Sequence, residues 1–384
     1  GTHSSLVQPE TLELRLIRLQ ANPVIDEISL AAQCVKRLMD LINEVDYSKA
    51  YCCCLIRMGR LTELAGSYAD AILFFNAALE VAEYAGYWKL NAIALMESGE
   101  LARKQGRLDA AEAYQKLAIE IGKNQDFNRE CADALNNLAN VMIEMGNLEH
   151  AEQLLNESLT LAEHMNETRL EGHIYNNLGV VFCIRGSFNS AISEFMRALP
   201  KRDQSNDELG LAETYHNLGL AYMDLGNYTR AMQYTEKALE TAQRLKNHSQ
   251  ELNVMTTRTE LIYMADDLDY ALTMAEQLAL KQDQVGDRPG MAEVTTLKGK
   301  ILLGKGLIEK AENSLKHALN IFESLGMIPG QADALKFLGL CLIKKGIPDK
   351  ARDILQKSKE LFTSLGNPDE CARVDSIIQG LPLN

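Results

Sequence analysis

One stretch of the chain comes close to the pattern of a phosphate-binding loop. Residues 299–306 read Gly-Lys-Ile-Leu-Leu-Gly-Lys-Gly, which places glycines and a lysine where such a loop contacts nucleotide phosphates. The last position must be Ser or Thr to ligate Mg²⁺, but here it is Gly306, and no strand is predicted before the stretch. We therefore interpret it as part of a helical framework, and we expect no nucleotide or other cofactor.

Histidine and cysteine are the other residue types with the chemistry for a catalytic or metal site. The seven histidines include no His-Glu-x-x-His motif and no local pair at ligand spacing, although His173 and His216 are expected on neighbouring helices. The eight cysteines lack Cys-x-x-Cys spacing, and the consecutive thiols of residues 52–54 point about 100° apart on a helix. We expect reduced, packed thiols, no metal site and no enzymatic activity.

The charge balance argues against two classes of partner. The chain has 384 residues and a formal net charge of −14, whereas binding to a nucleic-acid backbone or an anionic membrane needs a basic face. No apolar run approaches a membrane span, and the N-terminus lacks a signal-peptide pattern. We expect a soluble, cytoplasmic protein with no direct contact to nucleic acid or membrane. Because it begins Gly-Thr-His-Ser-Ser, we expect that it was trimmed or excised from a longer protein.

The strongest pattern in the chain is a period of 40 residues. Alanine recurs nine times at this step, and we call these residues the marker alanines: Ala31, Ala71, Ala111, Ala151, Ala191, Ala231, Ala271, Ala311 and Ala351. Five residues before most of them stands a glycine, and Asp26 and Asp266 take the two remaining places. A strict period of this length indicates a solenoid of helical hairpins.

Each copy of the repeat reads as helix, tight turn, helix. In residues 128–167, one apolar stripe recurs at three- and four-residue steps before Gly146, and a second stripe follows it. A glycine stands twelve residues before the marker alanine in most copies. Since a glycine within a helix costs about 1 kcal/mol relative to alanine, we attribute it to close helix packing, with the marker alanine opposite. The predicted fold is all-α, a right-handed α-solenoid of tandem helix-turn-helix repeats.

These positions resemble the consensus of the tetratricopeptide repeat. In one copy they are Leu218, Gly219, Tyr222, Gly226, Ala231 and Ala238, and in another Leu178, Gly179, Phe182, Gly186, Ala191, Phe195 and Ala198. The 40-residue period exceeds the usual one, so it implies longer helices and resembles the subgroup of kinesin light chains and LGN-type adaptors. Bacterial sensor domains of the MalT or peptide-pheromone-receptor type are also similar. HEAT repeats share the period, but their pattern fits poorly.

The resemblance implies nine tandem repeats over residues 9–367. Residues 1–8 are expected to be a cloning remnant or disordered, and residues 368–384 a C-terminal cap helix and tail. The first and sixth copies depart from the pattern, with Leu19 and Thr259 in place of glycine. Pro200 lies inside a predicted second helix, which it is expected to shorten or kink. A hinge between residues 200 and 270 is one interpretation, and a tolerated local irregularity is the other.

In tetratricopeptide repeats the first helices line a concave groove, and the resemblance implies which positions contact a ligand. Repeats three to five carry an amide-rich band there: Asn136, Asn137, Asn140, His173, Asn176, Asn177, His216 and Asn217. In LGN-type relatives such asparagines bind the backbone of an extended peptide. A carboxamide offers the donors and the acceptor that a peptide unit needs. The other interpretation is that these are merely solvent-facing polar residues.

Two further groups of groove positions are expected to add specificity. Repeats two and three place Arg57, Arg60, Arg103 and Lys104 beside Glu63, Glu97 and Glu100, either to recognise acidic side chains or to pair with one another. Toward the C-terminus, a more apolar pocket is predicted from Tyr263, Leu297, Phe337 and Leu340 with Lys300 and Lys336. The Lys and Asn combination that chaperone-binding relatives use as a carboxylate clamp is absent from the corresponding positions.

These observations lead to two main functional hypotheses. The first is a non-enzymatic scaffold or adaptor that binds a protein or an extended peptide segment through the asparagine-rich band. The second is a ligand- or peptide-responsive sensor domain of a larger bacterial signalling or transcription regulator, in which a ligand changes the superhelix near residues 200–267. Self-association through the edges of the solenoid is a third hypothesis.

Overall fold

The computed structural model describes residues 48–381, and all regular secondary structure within them is helical. Odd-numbered helices are the first and even-numbered helices the second of each pair. Their bounds are α1 Ser48–Leu64, α2 Tyr68–Tyr84, α3 Trp88–Lys104, α4 Leu108–Asn124, α5 Asn128–Glu144, α6 Leu148–Met165, α7 Thr168–Ile184, α8 Phe188–Gln204, α9 Glu208–Asp224, α10 Tyr228–Arg244, α11 His248–Met264, α12 Leu268–Val285, α13 Arg288–Gly304, α14 Ile308–Leu325, α15 Ile328–Lys344, α16 Pro348–Ser364 and α17 Pro368–Gln379.

The all-α prediction is therefore confirmed for this part of the chain. The predictions for residues 1–8, Leu19, Asp26 and Ala31 lie outside the described residues. None of the described helices is long and apolar enough to cross a membrane. The described cysteines are thiols, and several of them are buried among apolar side chains.

A short turn with one left-handed residue joins each described helix to the next. The predicted turn residues have positive φ in every described copy, from +80° at Gly66 to +67° at Asp266. This backbone region favours glycine and tolerates Asp and Asn. A second set, which the sequence analysis did not single out, lies between the pairs: Gly86, Asp126, Asn166, Asn206, Lys246, Gly286, Gly326 and Gly366. The backbone therefore repeats every 20 residues, whereas the side-chain pattern repeats every 40.

The two helices of a pair pack closely because glycine on the first leaves room for a large side chain on the second. A Cβ added at Gly59 would lie 2.3 Å from the Phe75 ring, and one added at Gly179 would lie 2.4 Å from the Phe195 ring. These buried rings stand four residues after a marker alanine. The glycine is thus opposed by that residue, which corrects the prediction that the alanine side chain opposes it.

Contacts divide the described residues into two units, 48–138 with 245–247, and 139–244 with 248–381. In the first unit, Cys52, Leu55 and Ile56 of α1 pack against Ala78 and Ala82 of α2. In the second unit, similar clusters recur between successive pairs, for example around Phe195 and Leu218, and around Leu278 and Leu297. The core of each unit is therefore a series of clusters, as expected when each repeat contacts its neighbours.

Pro200 does not shorten its helix, so the predicted shortening is wrong. α8 extends from Phe188 to Gln204 and, with 17 residues, is as long as most other helices. Pro200 is exposed, so its missing N–H and its ring lie on the solvent side of the last turns, where they are tolerated best. Two residues later, Arg202 is buried and fixes the end of the helix.

The sixth repeat is regular despite its departures from the sequence pattern. Thr259, which replaces the packing glycine, is fully buried, and its Oγ1 donates to the carbonyl oxygen of Met255 at 2.8 Å. Asp266 adopts the left-handed conformation, and the side chain of Asp267 accepts from the Tyr270 N–H at 3.2 Å. Thr259 and Asp266 thus stand in place of the two usual glycines, and Asp267 caps the next helix.

The last helix, α17, extends over Pro368–Gln379 and buries Val374. Asn367 caps it by accepting from the Glu370 N–H at 3.1 Å. The same side chain donates through Nδ2 to the carbonyl oxygen of Ile184 at 2.8 Å. The turn before α17 is therefore bound to the end of α7, far away in sequence but within the second unit.

Candidate functional site

Side chains of successive first helices contact one another along one face of the second unit, which we call the inner wall. Asn217 of α9 donates to Asn176 of α7 at 3.1 Å, and His216 of α9 lies 2.7 Å from Thr257 of α11. These partners are 41 positions apart, whereas Asn176 and Glu213 are 37 apart. Since these separations differ by about one helical turn, each first helix contacts its successor at two levels.

Arg202 of α8 is the largest fully buried side chain among the described residues. Its Nη1 donates to Asp207 Oδ2 at 3.0 Å, and its Nη2 donates to Glu213 Oε2 at 3.2 Å. The space comes from Gly210, because a Cβ added there would lie 1.5 Å from Nη1. Arg202 therefore fixes two carboxylates at the N-terminal end of α9.

Asn176 of α7 belongs to the same polar network. It is fully buried, its Nδ2 donates to Glu213 Oε1 at 3.2 Å, and its Oδ1 accepts from Thr214 and Asn217, each at 3.1 Å. Because both of its amide atoms are bonded inside the protein, Asn176 orients its neighbours and does not face a ligand. The side chain that it orients, Asn217, is partly exposed.

The other asparagines of the predicted band differ in exposure. Asn136, in the first unit, is buried. Asn137 of the first unit and Asn140 and Asn177 of the second are partly exposed. Of the band's asparagines in the second unit, those accessible from solvent are therefore Asn140, Asn177 and Asn217.

The two histidines predicted for the site are neutral at physiological pH. Burial and the nearby Arg202 charge lower the pKa of His173 to about 4, although its Nε2 lies 3.4 Å from Asp207 Oδ2. Burial lowers the pKa of His216 to about 4 as well. The described residues hold no group of three potential metal ligands. Both imidazoles therefore act here as neutral groups with one donor and one acceptor.

A cavity of about 260 Å³ opens on the inner wall where α9, α11, α13 and α15 adjoin. Leu220, Leu297 and Phe322 form its apolar lining. The polar lining consists of His216, Asn253, Thr256, Thr257, Glu260, Glu293, Thr296, Lys300 and Asp333. The cavity therefore combines a small apolar surface with several charges.

At the cavity, Lys300 has two carboxylates as counter-ions, whereas the charges that shift the pKa of Glu293 belong to other acids. Lys300 Nζ lies 3.2 Å from Glu260 and 2.9 Å from Asp333. Burial favours the neutral amine, but these two carboxylates outweigh it and raise the pKa of Lys300 above its ordinary value. For Glu293, burial and the nearby Asp287 and Glu260 all act in one direction and raise its pKa to about 7.

The C-terminal pocket predicted from apolar residues has a more polar character than expected. Of the apolar residues predicted there, Leu297 lines the cavity. The Phe337 ring has two cations over it, with Lys300 Nζ at 4.9 Å and Lys336 Nζ at 5.0 Å from the ring centroid. Lys336 also lies 2.9 Å from Glu370. The Phe337 ring therefore makes cation–π contacts with two lysines of the protein itself.

In the first unit, the predicted basic residues pair with carboxylates of the same region. The pairs are Arg60 with Glu97 at 2.5 Å, Arg103 with Glu100 at 2.6 Å, and Lys104 with Glu63 at 2.7 Å. Arg57 is partly buried on the same helix as Arg60. Of the two interpretations of this region, internal pairing therefore holds for Arg60, Arg103 and Lys104.

Sequence reasoning missed Arg202 and Glu293. For Arg202 a signal exists, because it stands where three other copies have alanine: Ala82, Ala162 and Ala242. In three copies a large side chain is followed eight residues later by a glycine that makes room for it: Arg202 with Gly210, Gln282 with Gly290, and Phe322 with Gly330. Phe362 takes the same place without such a glycine. For Glu293 no signal exists, since its character depends on which neighbours surround it in space.

Comparison with known proteins bears on the helical repeats and not on the individual side chains of the site. The tetratricopeptide-repeat family pattern matches residues 90–164 and 170–244. No curated protein sequence matches the chain significantly. A Rap protein complexed with Competence and Sporulation Factor is similar in structure, with a TM-score of 0.56 and 16% identity, and the match covers 96% of this chain and 97% of that one.

Two other solved structures resemble the chain to a similar degree. The Rap conjugation gene regulator of plasmid pLS20, in complex with the Phr* peptide, gives a TM-score of 0.59 at 16% identity, covering 82% of this chain and 93% of that one. The apo quorum sensor NprR from B. thuringiensis gives 0.59 at 14% identity, covering 81% and 87%. At such identities the likeness concerns the fold. Likeness to the tetratricopeptide repeat is therefore shown for residues 90–164 and 170–244.

Proposed function

We propose that the protein is a non-enzymatic scaffold or adaptor that binds an extended peptide segment of a partner protein along the inner wall of the second unit. The observation that carries this proposal is the arrangement around Asn217. Its carboxamide is partly exposed and held in place by the buried Asn176, and the neutral His216 precedes it on the same helix. The site thus presents donors and acceptors without a net charge of its own.

Such groups match a peptide backbone, because each carboxamide offers two donors and an acceptor with two lone pairs. A hydrogen bond of this kind contributes about 0.5–1.5 kcal/mol net, so several are needed to offset the ordering of a flexible segment. Orientation by Asn176 lowers that requirement, since a side chain that is already fixed loses less entropy on binding. Asn140 and Asn177, on the preceding first helices, would extend the same chemistry.

The fold supports a peptide as the occupant. The Rap regulator of plasmid pLS20 was solved with the Phr* peptide, so a protein of similar fold holds a peptide. The 40-residue period further places this chain, in our proposal, with the long-repeat tetratricopeptide proteins. Asn136 and Asn137, which lie in the first unit, stay predictions apart from this site.

The test starts from a phage-displayed library of random twelve-residue peptides selected on the immobilised full chain. The selected peptides are synthesised, and their affinities are measured by fluorescence anisotropy. Replacing both Asn177 and Asn217 by Ala is expected to weaken binding about tenfold or more, because two hydrogen bonds are lost. Far-UV circular dichroism should be unchanged.

The matched control replaces Asn156 and Asn189 by Ala. Both are exposed asparagines on the second helices α6 and α8, and their replacement should leave the affinity unchanged. If the library yields no peptide that binds the chain, or if the Asn177 and Asn217 double variant binds as tightly as the control, the proposal fails.

A second candidate function, a ligand-responsive sensor domain, is favoured by the contact between Asn367 and Ile184. This hydrogen bond joins the start of the last helix to the end of α7, so it can respond to any ligand that changes the curvature of the inner wall. Small-angle scattering with and without a selected peptide tests this function. A change in the radius of gyration that Asn367→Ala reproduces without peptide would support it, whereas identical curves would exclude it.

A further inference from the structure

The cavity at α9, α11, α13 and α15 has the size of a subsite and not of a complete ligand site. Its volume is about 260 Å³, which is below the range of about 300–1,000 Å³ for pockets that hold a whole drug-sized molecule. It opens on the inner wall next to the Asn176 and Asn217 contact, because His216 and Leu220 of the helix that carries Asn217 also line the cavity. A cavity of this size and place suits one side chain of a bound segment.

The charges around this cavity leave an excess of carboxylates. Lys300 and Lys336 are shared among Glu260, Asp333 and Glu370, at distances of 2.9–3.2 Å. Three carboxylates thus bind two ammonium groups before any other acid is counted. The local balance is negative even without Glu293.

Glu293 adds a further acid without a counter-ion. Its carboxylate has no ion-pair or hydrogen-bond partner among the described residues. The negative charges of Asp287 and Glu260 act on it and raise its pKa. Its side chain is exposed at the cavity. A carboxylate in acidic surroundings that solvent can reach has most to gain from a cation supplied by a ligand.

The apolar lining decides what kind of cation fits. Leu220, Leu297 and Phe322 lie beside the carboxylates, so the occupant must combine a positive end with an apolar stem. Lysine and arginine side chains have this construction, because their methylene chains pack on apolar surface while the charged end reaches a polar group. A small hydrated metal ion would leave the apolar lining without a partner.

We propose that this cavity binds a lysine or arginine side chain of the peptide held on the inner wall, with the Glu293 carboxylate as its counter-ion. The inference rests on the proposed function, since the basic side chain is delivered by the bound segment. It adds specificity that the asparagines cannot supply, because amide contacts read the backbone of any sequence.

The test uses the selected peptides with each basic residue replaced in turn by citrulline or norleucine. Citrulline keeps the shape of arginine without its charge. One position is expected to lose about tenfold to a hundredfold in affinity, as for a hydrogen bond to a charged group. In the Glu293→Gln variant, replacing the same basic residue of the peptide should lower the affinity less than about threefold. Peptides without a basic residue should bind this variant as they bind the wild type.

The control is Glu236→Gln, which removes an exposed carboxylate of α10 and should retain the full preference. If peptides bind and depend on Asn177 and Asn217 but tolerate citrulline everywhere, the cation subsite is overturned and the scaffold function stands. A full preference for basic residues in Glu293→Gln would also overturn the subsite. If no peptide binds, both proposals fail together.

Discussion

The two charged regions on the first helices differ in how their charges are satisfied. In the first unit, α1 and α3 carry arginines and a lysine that each meet a carboxylate within 2.5–2.7 Å. In the second unit, Lys300 of α13 is shared between Glu260 and Asp333, and Glu293 has no ion-pair partner among the described residues. Whether each charge has a counter-ion, and not the number of charges, therefore distinguishes a structural surface from a candidate binding surface.

Two glutamates show this difference through opposite pKa shifts. Desolvation by the surrounding protein raises the pKa of both side chains, although Glu293 remains exposed at the cavity. For Glu100, Arg103 and Lys104 outweigh burial and lower the pKa to about 2. For Glu293 the neighbouring charges are negative and add to burial, so the pKa rises to about 7. The neighbours of Glu100 therefore favour its anionic form, whereas the neighbours of Glu293 disfavour its anionic form.

The largest loss of stability is expected when Arg202, whose ion pair is the most buried, is replaced by Ala. Arg202→Ala would leave Asp207 buried without its cation and would open a cavity between Gly172 and Gly210. Breaking a buried ion pair from one side costs about 3–5 kcal/mol, so the midpoint of urea unfolding, followed by circular dichroism, should fall substantially.

The control is Arg244→Ala, which breaks an exposed pair with Glu208 of 2.7 Å. Exposed pairs contribute about 0–1 kcal/mol, so its midpoint should change little. If both variants lost the same stability, burial would not distinguish the pairs, and the comparison would have to be abandoned.

A smaller effect is expected for Glu100→Gln in the first unit. The folded pKa of about 2 lies below the ordinary value of 4.5, so the stabilisation is complete above about pH 4.5 and disappears as the pH falls toward 2. At pH 7 the variant should be less stable by about 1–2 kcal/mol, a hydrogen bond between charged groups reduced for partial exposure.

Thermal unfolding at pH 7 and pH 3 measures this difference. Glu112→Gln is the control, since it removes a carboxylate that pairs with the exposed Lys116 on the surface of α4. An equal loss at both pH values for Glu100→Gln would point to packing and would contradict the electrostatic explanation.

The sequence predicted the repeat framework well because the period is carried by residues with a strict geometric task. Glycine at a positive φ and alanine in a closely packed helix pair have few substitutes, so their spacing reveals the helices and turns. The shortening predicted at Pro200 does not occur, because the effect of a proline depends on which side of the helix faces solvent. One chain position cannot reveal that before the packing is known.

The site was harder to predict because its contacts join residues of different repeats. The partners of Asn176 stand 37, 38 and 41 positions away, so a repeat period alone identifies equivalent positions but not neighbours. The amide band was visible in the sequence, yet only the structure separates the buried Asn176 from the partly exposed Asn217. Counter-ions are the least predictable feature, because Lys300 meets Asp333 and Glu260 from two different helices.

The smallest and most specific effect is expected for Glu293→Gln. The folded pKa of about 7 exceeds the ordinary value of 4.5, so ionisation opposes folding increasingly as the pH rises through this window. The groups that face Glu293 are Glu260 of α11, Asp287 before α13, Lys300 of α13 and Asp333 of α15. The melting temperature of the variant should equal that of the wild type at pH 4.5 and exceed it at pH 8.

Differential scanning fluorimetry at the two pH values, with Glu236→Gln as control, measures this crossover. A peptide with the basic residue proposed for the cavity should abolish the difference at pH 8, because its charge replaces the missing counter-ion and makes ionised Glu293 favourable. If Glu293→Gln instead melted below the wild type at pH 8, the carboxylate would already be stabilised within the protein. The contrast with Glu100 would then disappear, and both regions would be structural surfaces of the same kind.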